Sequence, residues 1–219
     1  MKKLKIALFG ATGRTGKLFL KKALEKYQIK ALVRNPAKIT IKHDGLELIE
    51  GDVLKKEDVS KTLAGADVVV SLVGRVKGSP EDLQTKAMMN IIEVMKTRNM
   101  KRLISLTGGG VRDQAMDQPA FMDKMAVFIM KNLAGKTTRQ VLRDGINHAE
   151  VIKESGLDWT IVRAPMLTEK PAKSKVEIGN VGGVQGFQLT REDLAGFILE
   201  EIEKNNYVHQ MPFVTNGRR

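Results

Sequence analysis

Apolar residues along the chain switch repeatedly between two periods. Short apolar runs predict strands at residues 6–9, 29–33, 47–50, 67–73, 102–107 and 160–163. Between them, apolar positions recur every three to four residues, which predicts helices at 17–27, 56–63, 80–98, 119–133 and 138–155. Ser79-Pro80 reads as a cap and first-turn pair for the third of these helices. A further helix opens at Thr190-Arg191-Glu192-Asp193 with Thr190 as its N-cap. Alternation of this kind predicts an α/β fold: a single doubly wound parallel sheet with helices on both faces. No repeat or long linker interrupts it, so residues 1–219 are expected to form one domain. The glycine-bearing stretches 107–111 and 179–186 read as loops within it.

The first strand runs into Gly10-Ala11-Thr12-Gly13-Arg14-Thr15-Gly16 and then directly into a helical pattern. Glycine permits a tight turn and a close backbone approach, and the unpaired N–H groups of the following helix favour an anion. Strand, glycine turn and helix together predict a Rossmann-type dinucleotide site, although the spacing is GxxGxxG rather than GxGxxG. An acid about 20 residues farther on would select the free ribose of NAD. Here the second strand ends instead in Arg34-Asn35-Pro36-Ala37-Lys38. A guanidinium fork at Arg34, with Lys38 and Arg14 nearby, suits a 2′-phosphate and favours NADP(H).

Composition narrows the classes without naming a substrate. The 219 residues are 42% hydrophobic, enough for a substantial core, and carry a net charge of +12. The basic residues are scattered, as at Lys2-Lys3, Lys21-Lys22, Lys55-Lys56 and Arg218-Arg219. With 5% aromatics and no recognisable reading motif, nucleic acid is not the expected partner. Cysteine is absent, which excludes disulfides and thiol catalysis and agrees with a reducing cytoplasm. His43, His148 and His209 have no metal-ligand spacing and read as surface or packing residues, so no metal is expected. The first apolar run is too short for a signal peptide, no stretch approaches a membrane span, and no membrane partner is expected.

In a doubly wound sheet, ligands gather where the strands end. The residues there are the glycine turn, Arg34, Asp52-Val53, Val73-Gly74-Arg75, Thr107-Gly108 and Pro165-Met166. Asp52 can accept from an adenine amino group, with Val53 against the ring, or can simply cap a turn. Thr107 and Ser105 are the candidate catalytic hydroxyls, and the alternative for Thr107 is a strand-end hydroxyl that caps a loop.

Taken together, GATGRTG, ALVRNPAK, EGDV, VVVSLVG and ESGLDWTIVRAPML resemble an atypical short-chain dehydrogenase/reductase. The similarity spans the chain and is greatest to the NAD(P)H-binding group that contains flavin reductase/biliverdin IXβ reductase and the NmrA-like proteins. This resemblance implies pyrophosphate over Gly10 to Gly16, 2′-phosphate at Arg34 and Lys38, and adenine at Asp52 and Val53. It implies nicotinamide near Gly74, Thr107, Pro165 and Met166. The chain departs from the larger superfamily in lacking TyrxxxLys, since Tyr27 and Tyr207 are its two tyrosines and neither makes that motif. The serine that follows the fifth strand in flavin reductase falls on Gly108.

The implied activity is NADPH-dependent hydride transfer to a small planar acceptor, a flavin, quinone or bilin, which needs no protein acid. The alternative is an NmrA-like regulator that senses NADP(H) without turnover. Monomer and homodimer are both compatible with the sequence. Residues 116–130 carry four methionines with Phe121 and Phe128, and read either as a core or dimer-contact helix or as a lid.

Overall fold

The computed structural model describes residues 3–76 and 78–217. The basic positions Lys2 and Arg218-Arg219 lie outside them. Strands β1 (Lys5–Phe9), β2 (Gln28–Val33), β3 (Leu46–Glu50), β4 (Val68–Ser71), β5 (Arg102–Gly108) and β6 (Asp158–Ala164) pair in parallel. Short strands β7 (Met166–Thr168), β8 (Glu177–Gly179), β9 (Gln188–Thr190) and β10 (Phe213–Thr215) follow. The main sheet has the order β3-β2-β1-β4-β5-β6-β10-β8, with β8 antiparallel to β10, while β7 and β9 form a separate pair.

Among the described residues, six α-helices connect the strands: α1 (Arg14–Ala23), α2 (Lys56–Leu63), α3 (Leu83–Thr97), α4 (Phe121–Asn132), α5 (Lys136–Lys153) and α6 (Arg191–Lys204). Because successive strand residues point to opposite faces, β1 feeds two cores. Ile6 and Leu8 pack with Phe19 and Leu20 of α1 and Phe197 and Ile198 of α6. Ala7 and Phe9 pack with Val59 of α2, Ile91 of α3 and Leu142 of α5. The expected fold, a parallel sheet covered on both faces, is the one observed.

Three local expectations need correction. The helix expected at 80–98 begins at Leu83, and Ser79 instead closes a turn on Val76. Its cap comes from another helix: buried Asp144 of α5 accepts from the Gln84 and Thr85 N–H groups at 2.9 and 3.0 Å. The strands β7 to β10 were not expected, because three-residue segments carry too little periodicity to read, and Gly179, assigned to a loop, ends β8. Finally, no residue of α4 is fully buried; Val127 and Met130 rest part-buried on the core, so the helix covers its edge rather than lying within it.

The far side of the sheet is held by a charge pair. Arg163 of β6 is fully buried; its Nε donates to the Met211 carbonyl at 2.6 Å, and its Nη2 to Asp117 Oδ1 at 2.9 Å. Asp117 also accepts from the N–H groups of Asp113 and Val181. One carboxylate thus ties the loop after β5 to β6 and to the segment after β8. Removing one partner strands a buried charge, so Arg163→Met is expected to cost about 3–5 kcal/mol in urea unfolding. Arg163→Met combined with Asp117→Leu should recover part of that loss, because no carboxylate is left unpaired although the Asp113 and Val181 N–H groups lose their acceptor.

Candidate dinucleotide-binding site

The chain leaves β1 over the face that carries α1 and leaves β4 over the face that carries α3. The crevice between the ends of these neighbouring strands is the topological switch point where open α/β sheets take their ligands. Sequence reasons fix its floor. Gly10 has φ +88°, and a Cβ there would lie 2.5 Å from the Leu72 carbonyl oxygen. A Cβ on Gly16 would run into the Gly10 carbonyl, so α1 can begin this close to the turn only without side chains at both positions.

Gly13 is the N-cap of α1, with no side-chain cap and no acid in the first turn. The first N–H groups of this helix therefore have no intrahelical partner and face the crevice end of β1, an arrangement suited to a pyrophosphate. Thr12 is half-buried and Thr15 buried beside them.

Arg14 opens α1 and donates to Glu169 Oε1 at 3.2 Å. The same oxygen accepts from Arg191 at 2.8 Å, and Arg191 also donates to the Leu167 carbonyl. Burial lowers the Arg191 pKa, Arg14 adds to that, and Glu169 opposes it. Two cations thus converge beside the uncapped N-terminal end of α1 on one carboxylate. Neither Glu169 nor Arg191 was singled out from the sequence, because only the folded chain brings residues 14, 169 and 191 together.

The remaining sequence-predicted residues occupy the same edge in different states. Arg34 is exposed directly after β2, and Lys38 is exposed in the short 3-10 turn Pro36–Lys38. Asp52 accepts from the Leu54 N–H at 3.0 Å, which is the turn-capping alternative, and half-buried Val53 packs against the lower core. The Val73 carbonyl accepts from Gln84, and Gly74 borders open space. Arg75 is turned toward α5, where it donates to Gln140 at 2.8 Å. Pro165 is half-buried, and exposed Met166 pairs with Phe187 through its backbone.

The two hydroxyls face α5. Ser105 is buried and its Oγ shares a 2.9 Å hydrogen bond with His148 Nε2. Thr107 is buried against Gly145, where a Cβ would lie 2.9 Å from its Oγ1. Among the described residues, Thr107 Oγ1 and His148 Nδ1 are the two buried side-chain polar atoms without a partner. An unsatisfied buried hydroxyl at a strand end is a feature that a bound polar ligand or water can complete. Both tyrosines lie elsewhere: Tyr27 immediately precedes β2 and donates to Glu203, while the Tyr207 carbonyl accepts from Thr160 near the start of β6. Burial, then the hydrogen bond to Glu203, pushes the Tyr27 phenol up to about 12.

A family model described as NAD(P)H-binding matches residues 10–205. The chain belongs to the NAD(P)H-binding family. An isoflavone reductase homolog, A622 of Nicotiana tabacum, is 27% identical over 96% of this chain and 69% of its own length. A short-chain dehydrogenase/reductase of Veillonella parvula, solved in complex with NADP, superposes with a TM-score of 0.79 at 19% identity over 98% of this chain and 95% of that one. A protein of Streptococcus pneumoniae assigned as an NADH-flavin reductase superposes with a TM-score of 0.74 at 16% identity, over 97% and 99% of the two chains. At these identities the solved structures bear on the fold alone. The family binds a nicotinamide cofactor, and the glycine floor and uncapped helix of the crevice are compatible with that group.

His148 yields a test of the α5 interface. Burial pushes its imidazole down to about 4, with Asp144 pulling weakly the other way. As pH falls below the ordinary histidine value of about 6.5, the unfolded chain takes up a proton that the folded chain refuses until about pH 4. Stability is therefore complete above about pH 6.5 and declines across that window, by about 3 kcal/mol in all. His148→Gln should lose that portion of the decline, measured by urea unfolding at about pH 7 and about pH 4.5.

Proposed function

We propose that this protein is an NADPH-dependent reductase that passes a hydride to a flavin, quinone or tetrapyrrole-like ring, within a single domain. The observation that carries the reading is the pairing of a glycine-floored crevice at the β1/β4 switch point with tyrosines at the opposite edge of the sheet. No phenol is placed there to protonate a carbonyl. When bound, the reduced cofactor supplies a hydride, and an electron-poor ring can take those two electrons while solvent supplies the proton. The chain's task is then to hold two planar groups in register.

In this reading the α1 N–H groups hold the pyrophosphate, and Arg34 and Lys38 hold the 2′-phosphate. Thr107 orients the carboxamide or the acceptor with its unpartnered hydroxyl, Ser105 being tied to His148 behind it. Pro165 and Met166 wall the acceptor side. Arg14 is held by Glu169 in the free protein and is released to the incoming phosphates.

The test is NADPH oxidation by the purified protein, followed at the reduced-nicotinamide absorbance with FMN, riboflavin, a quinone or a bilin as separate acceptors. Saturable consumption is expected, with Arg34→Ala raising the KM for NADPH about tenfold or more and changing that for NADH little, because only the former loses a charged hydrogen bond. Glu169→Gln is expected to tighten NADPH binding severalfold in calorimetry by removing the competing carboxylate. Tight NADPH binding without consumption by any of the four acceptors would instead establish a nucleotide sensor.

A further inference from the structure

Helix α4 is the feature that cofactor binding leaves unexplained. Asp123, Val127, Met130 and Ala134 make one half-buried stripe, and Val127 and Met130 pack on the core beneath α5. The opposite side, at helical spacing, presents Phe121, Met125, Phe128, Ile129 and Leu133 to solvent, with Phe121 72% and Leu133 73% exposed. Isolated exposed apolar residues are ordinary, but a continuous apolar helix face is not, and it marks an interaction surface. The surface also leads toward the crevice. Met122 lines a cavity of about 120 Å³ together with Phe187, and the Phe187 carbonyl accepts from the N–H of Met166, the first residue of β7.

Charge indicates what covers this face. Exposed Lys124 and Lys131 flank the apolar side, and exposed Lys136, 3.8 Å from Glu81, and exposed Arg139 follow at the start of α5. The one acid in residues 120–140, Asp123, is occupied by the Ala120 N–H at the helix start. A second copy of this chain would bring cations against cations, in a protein that already carries +12. An anionic lipid surface would satisfy both parts of the pattern, taking the apolar side among its acyl chains and the lysines among its headgroups. No described helix is long and apolar enough to cross a membrane, so a shallow seat parallel to the surface is the geometry available.

We propose that α4 docks the protein on anionic membrane surfaces, with Phe128 and Ile129 inserted at the acyl boundary and Lys124 and Lys131 at the headgroups. This placement sets the Met122–Phe187–Met166 surface beside the bilayer, on the path of an apolar acceptor. The docking itself does not depend on turnover.

The test is cosedimentation of the full chain with phosphatidylcholine vesicles, with and without phosphatidylglycerol. Binding to the anionic vesicles alone is expected. Lys124→Glu with Lys131→Glu should lower it about tenfold or more. Phe128→Asp with Ile129→Asp should lower it comparably while leaving the melting temperature and circular dichroism unchanged, since both side chains are exposed. Absence of binding to anionic vesicles overturns the proposal. So does binding that survives Phe128→Asp with Ile129→Asp, which would reflect overall basic charge alone. A concentration-dependent dimer in sedimentation velocity that this variant dissolves, without vesicle binding, would assign the face to a second copy.

Discussion

How closely α1 can be laid over the ends of β1 and β4 governs everything at the carboxyl edge of the sheet. Gly10 turns with a backbone that L side chains rarely adopt and lies against Leu72, while Gly16 leaves no side chain between the helix and the turn. A methyl group at either position would lift the first turn of α1 away from the switch point. The uncapped N–H groups and Arg14 would move with it. The same closeness lets Phe19 and Leu20 of α1 reach the core shared by Ile6, Leu8 and α6, so one steric requirement serves both stability and the binding crevice.

The other half of the edge is organised by buried charge rather than by glycine. Asp117 accepts hydrogen bonds from Arg163, Asp113 and Val181, and the loop after β5, strand β6 and the segment after β8 are joined through it. Glu169 performs a looser version of this task between Arg14 and Arg191, at a position open to solvent. The contrast has a functional sense. A desolvated pair with every lone pair used is costly to break, whereas a half-exposed carboxylate can exchange partners with an incoming phosphate.

Long and strongly patterned elements were readable before any coordinates. Helix α2 runs over the expected residues 56–63, and Thr190 caps α6 by accepting from the Asp193 N–H as its spacing suggested. The strands near the end of the chain were not readable. β7 to β10 owe their existence to partners such as Arg163 opposite Phe213 and Met166 opposite Gln188, rather than to local preference. Ser79-Pro80 looked like a helix start and is not one, because Asp144 caps α3 from a different helix across 59 to 60 residues of sequence. A local capping rule has no access to such a donor.

Chemistry divided along the same line. The glycine turn, the basic end of β2 and the lack of a TyrxxxLys spacing are properties of contiguous residues, so the nucleotide fold could be deduced from the order of amino acids alone. The environment of each hydroxyl could not. Ser105 shares a hydrogen bond with His148, Thr107 is left unpartnered against Gly145, and Arg14 meets Arg191 over Glu169 because sheet and helices bring distant segments within hydrogen-bonding range. Local pattern specifies which backbone conformations and faces a segment favours. Which side chains then share a buried space, and which apolar face of α4 finds no partner, is decided only when those faces are packed together.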